Sequence, residues 1–416
     1  MKNHSVSIYL DTRRSKANGK YPVKLRVFQS APRRQKLYST VFEFSKSEFE
    51  SIWETNRPRK KHKEIRSKLQ AVELKAYKTA ESIDPFSFEQ FEKKLYRKAG
   101  DGINISYRYS ERIAELREFN QISTCSTYEL SQKSLAEYAE VKKKQNFDKL
   151  TFYDIRAKWL NEYEYYMTEE KGLSLTTVSM YLRTLRAVFN RTIDEGEIDK
   201  AVYPFGKRKY QFPAKKNVKK ALSAEQLGIL FNAEPKNKQQ GKAKDFWFFS
   251  YACNGINIKD IALLKYKDIK NDRIEFIRSK TRRTSKKDLK TIIVYLNEFS
   301  SEIIERYGRD EKIPESYVFD ILTEELTAQE QKVKIQNFTR FINQHIKKLA
   351  KANELPEEIS TYWARHSFAT NAIRKGAGME FIQESLGHSN QKTTQSYFAG
   401  FDDKAKKEFS NSIMDF

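Results

Sequence analysis

A chain of 416 residues has room for two to four domains, each with its own core, and a formal charge of +23 makes a polyanion its expected partner. Two distant cysteines, Cys125 and Cys253, with no neighbouring CxxC or histidine cluster, exclude a disulfide framework and a zinc site and fit a reducing, cytoplasmic setting. No apolar run approaches the ~20 residues of a membrane span, and the start, MKNHSVSIYLDTRR, lacks a secretory apolar core, so a soluble, unprocessed chain is expected.

The first elements are strands. SVSIYL, YPVKLRVF after the Asn18-Gly19 turn signal, and KLYSTVFEF predict a small sheet over residues 5–44. Arg13, Arg14, Lys16, Lys20, Arg33, Arg34 and Lys36 crowd its turns and ends, and RPRKKHKEIRSK at 57–68 follows with seven basic residues against one acidic. One such run is usually a solvated face; beside a strand-rich module the two together read as an accessory domain that grips DNA.

Residues 62–98 turn helical and stop at Lys98-Ala99-Gly100-Asp101-Gly102, a hinge or a domain edge. Helical pattern resumes over 105–205. Its clearest segment begins at the N-cap candidate Ser174 and repeats Leu175, Val178, Leu182, Leu185 and Phe189 as a core stripe. Thr176, Arg183 and Asn190 fall seven apart on another side, where they present either a polar row to DNA or a merely solvated face.

The segment 206–220, GKRKYQFPAKKNVKK, has seven basic residues and no acids. It reads as an extended linker tracking DNA, with Lys215 and Lys216 among its candidate phosphate contacts. Ser223 then caps a new helix, followed by the apolar helix DFWFFSYACNG, a helix NIKDIALLKYKDI, and two strands, DRIEFIRSK and KTIIVYL, around a basic turn at 281–290. The remainder reads as helical apart from short links near Pro314 and Pro356.

Chemistry concentrates between Thr361 and Phe401. Tyr362, Arg365, His366, His388 and Tyr397 occur at spacings of three, one, twenty-two and nine residues. Cleaving a phosphodiester while conserving its bond energy requires a protein nucleophile, cationic stabilisation of the pentacoordinate phosphorus and a proton for the leaving oxygen. Tyr397 fits the first role, and Arg365, as a two-pronged donor, with His388 as a further donor, fits the second. A lone tyrosine among 23 is more often a packed aromatic, so the spacing is what singles Tyr397 out.

The phrases TYWARHSFAT, ESLGH and TTQSYF, in this order, resemble the signature of the tyrosine recombinase (phage integrase) family, and Lys280 in the basic hairpin resembles that family's strand-borne lysine. The likeness is specific over 221–416 and looser over the whole layout, which is similar to integrases of Bacteroidetes mobile elements. It implies a multidomain, mainly α fold. An arm-type DNA-binding sheet domain with its following helix would occupy 1–100 and a helical, SAM-like core-binding domain 101–210. A basic linker at 211–220 would lead to an α+β catalytic domain with a small antiparallel sheet at 221–416.

The resemblance further implies that Tyr397 attacks the scissile phosphate to give a 3′-phosphotyrosyl bond. Arg365 then corresponds to the second family arginine, His388 to the histidine of LGH, and Lys280 to the general acid on the leaving 5′ oxygen. Tyr362 stands where many members have histidine or lysine and, with a pKa near ~10, serves positioning rather than proton transfer. His366 is structural support, and Asp260 orients neighbouring cations. The family's first arginine is replaced by Asn257, a neutral donor, which removes a charge worth about 2 to 4 kcal/mol of transition-state stabilisation. A nearby cation is expected to compensate: Arg282, sharing the face of Lys280 if the strand persists, ahead of Arg278 and Lys259.

Two readings follow: an active site-specific recombinase, integrating, excising or inverting DNA, or a DNA-binding accessory protein with a decayed core, for which Asn257 is the support. A type IB topoisomerase is a third, disfavoured by the arm-like amino terminus. The first implies no cofactor or metal, double-stranded DNA bound at core and arm sites, a homotetramer on DNA and a DNA-bending helper protein.

Overall fold

The computed structural model describes residues 4–98, 100–213, 221–282, 290–388, 390–395 and 403–413, without the side chains of 391, 392, 403–405 and 408. The chain divides into two compact units, Met1–Glu115 with Cys125–Pro213, and Leu116–Thr124 with Ala214–Phe416. No helix among the described residues is long and apolar enough to cross a membrane.

The first unit begins with an antiparallel sheet in the order β1 (His4–Leu10), β2 (Tyr21–Gln29), β3 (Arg34–Phe44). Strand alternation sends Val23, Leu25 and Val27 of β2 to one buried face and Lys24 and Arg26 to the other. A short helix α1 (Lys46–Phe49), held by a capping box between Ser45 and Glu48, leads to α2 (Lys60–Glu81) and α3 (Phe88–Leu95). Leu69, Ala76 and Ala80 of α2 and Phe91 and Leu95 of α3 complete the core under the sheet. On the open face the Arg26 guanidinium lies 5.3 Å from the Tyr9 ring and donates to Ser7 Oγ at 3.2 Å.

Four further helices follow, α4 (Ile105–Glu118), α5 (Ile122–Val141), α6 (Ala157–Tyr165) and α7 (Leu175–Asp194). The expected stripe of α7 is buried at Val178, Leu182, Leu185 and Phe189, and Ser174 Oγ accepts the Thr177 N–H at 3.3 Å as its cap. Leu175, at the first turn, stays exposed. Charged side chains join α3 to α4 and to the end of α7: Lys93 to Glu111 (2.8 Å), Arg97 to Glu197 (2.6 Å) and Arg108 to Glu111 (2.7 Å), with Arg108 also paired to Glu195.

The expectation of an open linker from 206 needs correction as far as Pro213. Tyr210 is buried and donates its hydroxyl to Glu164, while Phe212 stacks on Phe205 at 5.5 Å beneath Arg183 (4.9 Å) and Arg186 (4.8 Å). Aromatic burial outweighs the mutual repulsion of the basic run, so these residues belong to the first unit. Lys215 and Lys216 lie outside the described residues.

The second unit packs around α9 (Lys238–Ala252), which follows α8 (Ala224–Asn232) and starts earlier than its apolar half suggests. Phe246, Trp247, Phe248 and Phe249 are all buried, so the helix is surrounded rather than one-faced. The helix expected after Gly255 is short: α10 (Ile258–Leu263) ends before the antiparallel strands β4 (Ile269–Lys270), β5 (Arg273–Ile277) and β6 (Thr291–Tyr295). Beyond α11 (Glu298–Tyr307), residues 308–327 form no α-helix, a longer link than expected; α12 (Ala328–Ala352), α13 (Thr361–Arg374), α14 (Met379–Ser385), α15 (Gln391–Gln395) and α16 (Asp403–Ser412) follow.

Candidate active site

The start of α13 is tied to the core, because the Trp247 indole N–H donates to the Ser360 carbonyl at 2.9 Å. Farther along, Ser367 Oγ accepts the Leu222 N–H at 2.9 Å and the Asn371 side chain donates to the Leu222 carbonyl at 3.0 Å, anchoring the chain where it joins the unit. With the helix so fixed, its 3.6-residue period sets Arg365 and His366 each about one turn on from Tyr362. Tyr362 is 44% exposed, its ring edge-on to His366 at 4.7 Å, whereas Arg365 is 3% exposed and turned inward.

Arg365 donates to the Gly255 carbonyl at 2.8 Å and to the Leu386 carbonyl, and one guanidinium nitrogen lies 3.2 Å from His388 Nε2. A guanidinium has no lone pair to offer, so Nε2 is the acceptor and the ring proton sits on Nδ1, which donates to Thr394 Oγ1 at 3.0 Å. His388 is therefore a neutral imidazole. Burial first, then the charges of Arg365, Arg278 and Lys280, hold its pKa down to about 3. Toward Arg365 the ring is an acceptor, and its one N–H is directed at Thr394.

Two glycines allow these approaches. Gly255 has φ +67°, and a Cβ there would come within 2.8 Å of Arg365 Cα. Gly387, at φ +61°, lies so close to β6 that a Cβ would meet Ile292 Cδ1 at 2.5 Å.

From the other side comes the exit of β5. Asp260, buried on α10, accepts the Ser279 N–H at 2.9 Å, so its carboxylate fixes the backbone between the two cations Arg278 and Lys280. Lys280 is exposed in the turn that follows. Arg278 is 8% exposed and donates to the Leu386 carbonyl at 3.4 Å, the same oxygen that Arg365 uses. The strand ends at Ile277, and Thr281 and Arg282 turn back to bond the Arg278 carbonyl at 3.2 and 3.1 Å. The face shared by Lys280 and Arg282 therefore does not form: Arg282 is exposed and lines a cleft of mixed charge, with Lys265, Lys267 and Lys270 beside Asp260, Asp268 and Glu275. Asn257 is half-buried at the start of α10, and its side chain makes no capping bond; Lys259 is exposed.

Residues 220–403 match the model of the "Phage integrase family", and residues 105–212 that of the "Phage integrase SAM-like domain". The chain belongs to the tyrosine recombinase (phage integrase) family. Tyrosine recombinase XerC of Listeria welshimeri is 23% identical over 320 residues, covering 74% of this chain and 91% of that protein. Tyrosine recombinase XerC of Thermodesulfovibrio yellowstonii is 28% identical over 235 residues, 55% of this chain and 72% of that one. The Tn1549 transposon integrase, solved in complex with transposon right-end DNA, shares the fold: TM-score 0.54 and 18% identity over 75% of this chain and 99% of that chain.

Within this tyrosine recombinase, Arg365 and His388 are in contact and Lys280 is near enough to act on His388 electrostatically. Tyr397 lies outside the described residues. Thr176, Arg183 and Asn190 are exposed on α7 in the first unit, although Arg183 also covers Phe212. Among the described residues no group of three or more His, Cys, Asp and Glu could hold a metal ion. Thr394 and the Leu386 carbonyl had no separate signal in the sequence, because a threonine six residues past a histidine is commonplace and any residue supplies a carbonyl.

Proposed function

We propose that this chain is a site-specific DNA recombinase that cleaves and rejoins duplex DNA through Tyr397. The observation that carries the reading is the contact of buried Arg365 with neutral His388, nine residues before Tyr397, with Lys280 close enough to act on that imidazole. The Tyr397 oxygen gives its hydroxyl proton to solvent and bonds to phosphorus, the P–O5′ bond breaks, and the electron pair leaves on the 5′ oxygen, which takes a proton from Lys280. Arg365 binds nonbridging oxygens and His388 orients the guanidinium. Tyr362, exposed beside the site, positions the phosphate, while His366 supports Tyr362 and Asp260 holds the Lys280 turn. The reverse attack by a 5′ hydroxyl rejoins the strand without a cofactor.

The remaining assignments belong to the same proposal. The open sheet face with Lys24 and Arg26 serves arm DNA; the α7 row Thr176, Arg183 and Asn190, with Lys215 and Lys216, serves core DNA; four copies act together on two duplexes through a Holliday junction. A net charge of +23 and a fold shared with a DNA-bound transposon integrase support duplex DNA as the partner. Integration or excision of a mobile element, of the kind found in Bacteroidetes and aided by a DNA-bending protein, is the role that fits the arm module; inversion uses the same chemistry.

A second reading rests on Asn257: a DNA-binding accessory protein whose cleavage centre has decayed. Both are tested with a pool of nicked duplexes of randomised core sequence. A covalent protein–DNA adduct formed by the native chain and abolished by Tyr397→Phe is the expected outcome, and no adduct on any member of the pool would favour the decayed centre.

A further inference from the structure

We propose that Arg278 supplies the phosphate-binding charge that Asn257 withholds, and is thus a catalytic residue of the cleavage reaction; this rests on reading the site as a phosphodiester-cleaving centre. Four observations converge on it. Asn257 offers only a neutral amide, half-buried at the start of α10. Arg278 is 8% exposed, yet forms no ion pair among the described residues, and its buried Nε has no hydrogen-bond partner there. Its one side-chain hydrogen bond among the described residues, to the Leu386 carbonyl, is long at 3.4 Å. That carbonyl is also bound by Arg365, so both guanidiniums are aimed at a single oxygen beside His388.

A guanidinium is taken out of water at high cost unless an anion meets it. Arg278 has met only a neutral dipole. Its planar fork is suited to two oxygens of one phosphate, and Arg365 beside it suits a second edge of the same group. The competing cations are worse placed: Lys259 and Arg282 are exposed, and Lys280 has the leaving oxygen to protonate. A purely structural Arg278, there to satisfy the Leu386 carbonyl, is the rival account, and it asks for a hydrogen-bond donor but no charge.

The full chain is used for the test, on whichever nicked duplex of the randomised pool gives the native protein its adduct. Arg278→Gln and Arg278→Ala are expected to slow single-turnover adduct formation by about 100-fold or more, with the half-saturating DNA concentration held within about threefold. Adding Asn257→Arg to Arg278→Ala is expected to restore at least about tenfold of that rate, a rescue that a structural role does not provide. Rates within about threefold of native for Arg278→Gln, or no rescue, overturn the proposal. If Arg278→Ala does not fold, Arg278→Lys, which keeps charge but not the fork, is expected to be about tenfold slow, and native speed would count against the fork.

Should the native protein form no adduct, the recombinase reading fails, and Arg278 is judged separately with inorganic phosphate, followed through the His388 imidazole resonances. Half-saturation at least about tenfold weaker in Arg278→Gln supports phosphate binding by Arg278; an unchanged titration overturns it.

Discussion

His388 is buried without a charge, and this couples the stability of its unit to pH. Its pKa moves from the ordinary 6.5 to about 3 on folding, so between those values the unfolded chain holds a proton that the folded one rejects. The stabilisation is complete above about pH 6.5 and is lost as pH falls toward 3. His388→Asn should flatten the fall in urea midpoint between pH 7 and pH 5, and an undiminished fall would assign it to other groups. Gly255 carries a second residue-level expectation: Gly255→Ala forces a side chain into φ +67° and against the Arg365 backbone, costing about 1–3 kcal/mol in denaturant unfolding. A midpoint equal to the native one would mean that the segment before α10 shifts freely. At this scale the sequence was legible where chemistry restricts the residue type. Arg365 and His388 stood out by spacing, and the contact between them exists. Which of two arginines four positions apart turns inward was not legible, because it depends on where β5 stops, and nothing in RSKTRR marks Ile277 as its last residue.

Among the elements, α7 was readable from its cap and stripe, since both are local properties of a helix; the fate of residues 206–213 was not. Their charge announces a solvated run, but Tyr210 and Phe212, two aromatics among lysines, decide the outcome by finding a pocket on distant helices. Phe212→Ala should release Arg183 and Arg186 and make the bonds after Lys207, Arg208 and Lys209 cleavable by trypsin under native conditions. Cleavage no faster than in the native chain would place the anchor at Tyr210 alone. The ionic cluster joining α3, α4 and α7 is likewise invisible in sequence, where its members look like ordinary surface charge. Arg108 at its centre is 3% exposed, so Arg108→Ala takes one partner from Glu111, which keeps Lys93, and one from Glu195, which keeps Arg191, and should cost about 1–3 kcal/mol in the unfolding of this unit. A loss below 1 kcal/mol would mean that water enters and replaces it.

For the molecule as a whole, fold class was what the family resemblance implied, and the order of patterns agreed with it: alternating strands, then amphipathic helices, then helices flanking a hairpin. What the pattern missed were lengths, such as the link over 308–327, held by isolated bridges like Gly308–Phe319 rather than by any periodic feature. The charge of +23 yields an expectation at this scale. Binding to random duplex should weaken by about 10³-fold or more from 50 to 200 mM salt if six or more phosphates are neutralised, and a shallow slope in a fluorescence titration would confine the contact to a few side chains. One oxygen within the molecule bears on what such binding achieves. On the proposed reading, the Leu386 carbonyl, which both Arg278 and Arg365 bind, is the neutral ligand that a phosphate would displace. Loading the site is thus an exchange: a stray anion must displace a tethered ligand with little else to hold it, whereas a phosphodiester arrives with the grip of an entire duplex behind it. On that reading, selectivity for long DNA over free phosphate would rest on a single peptide bond.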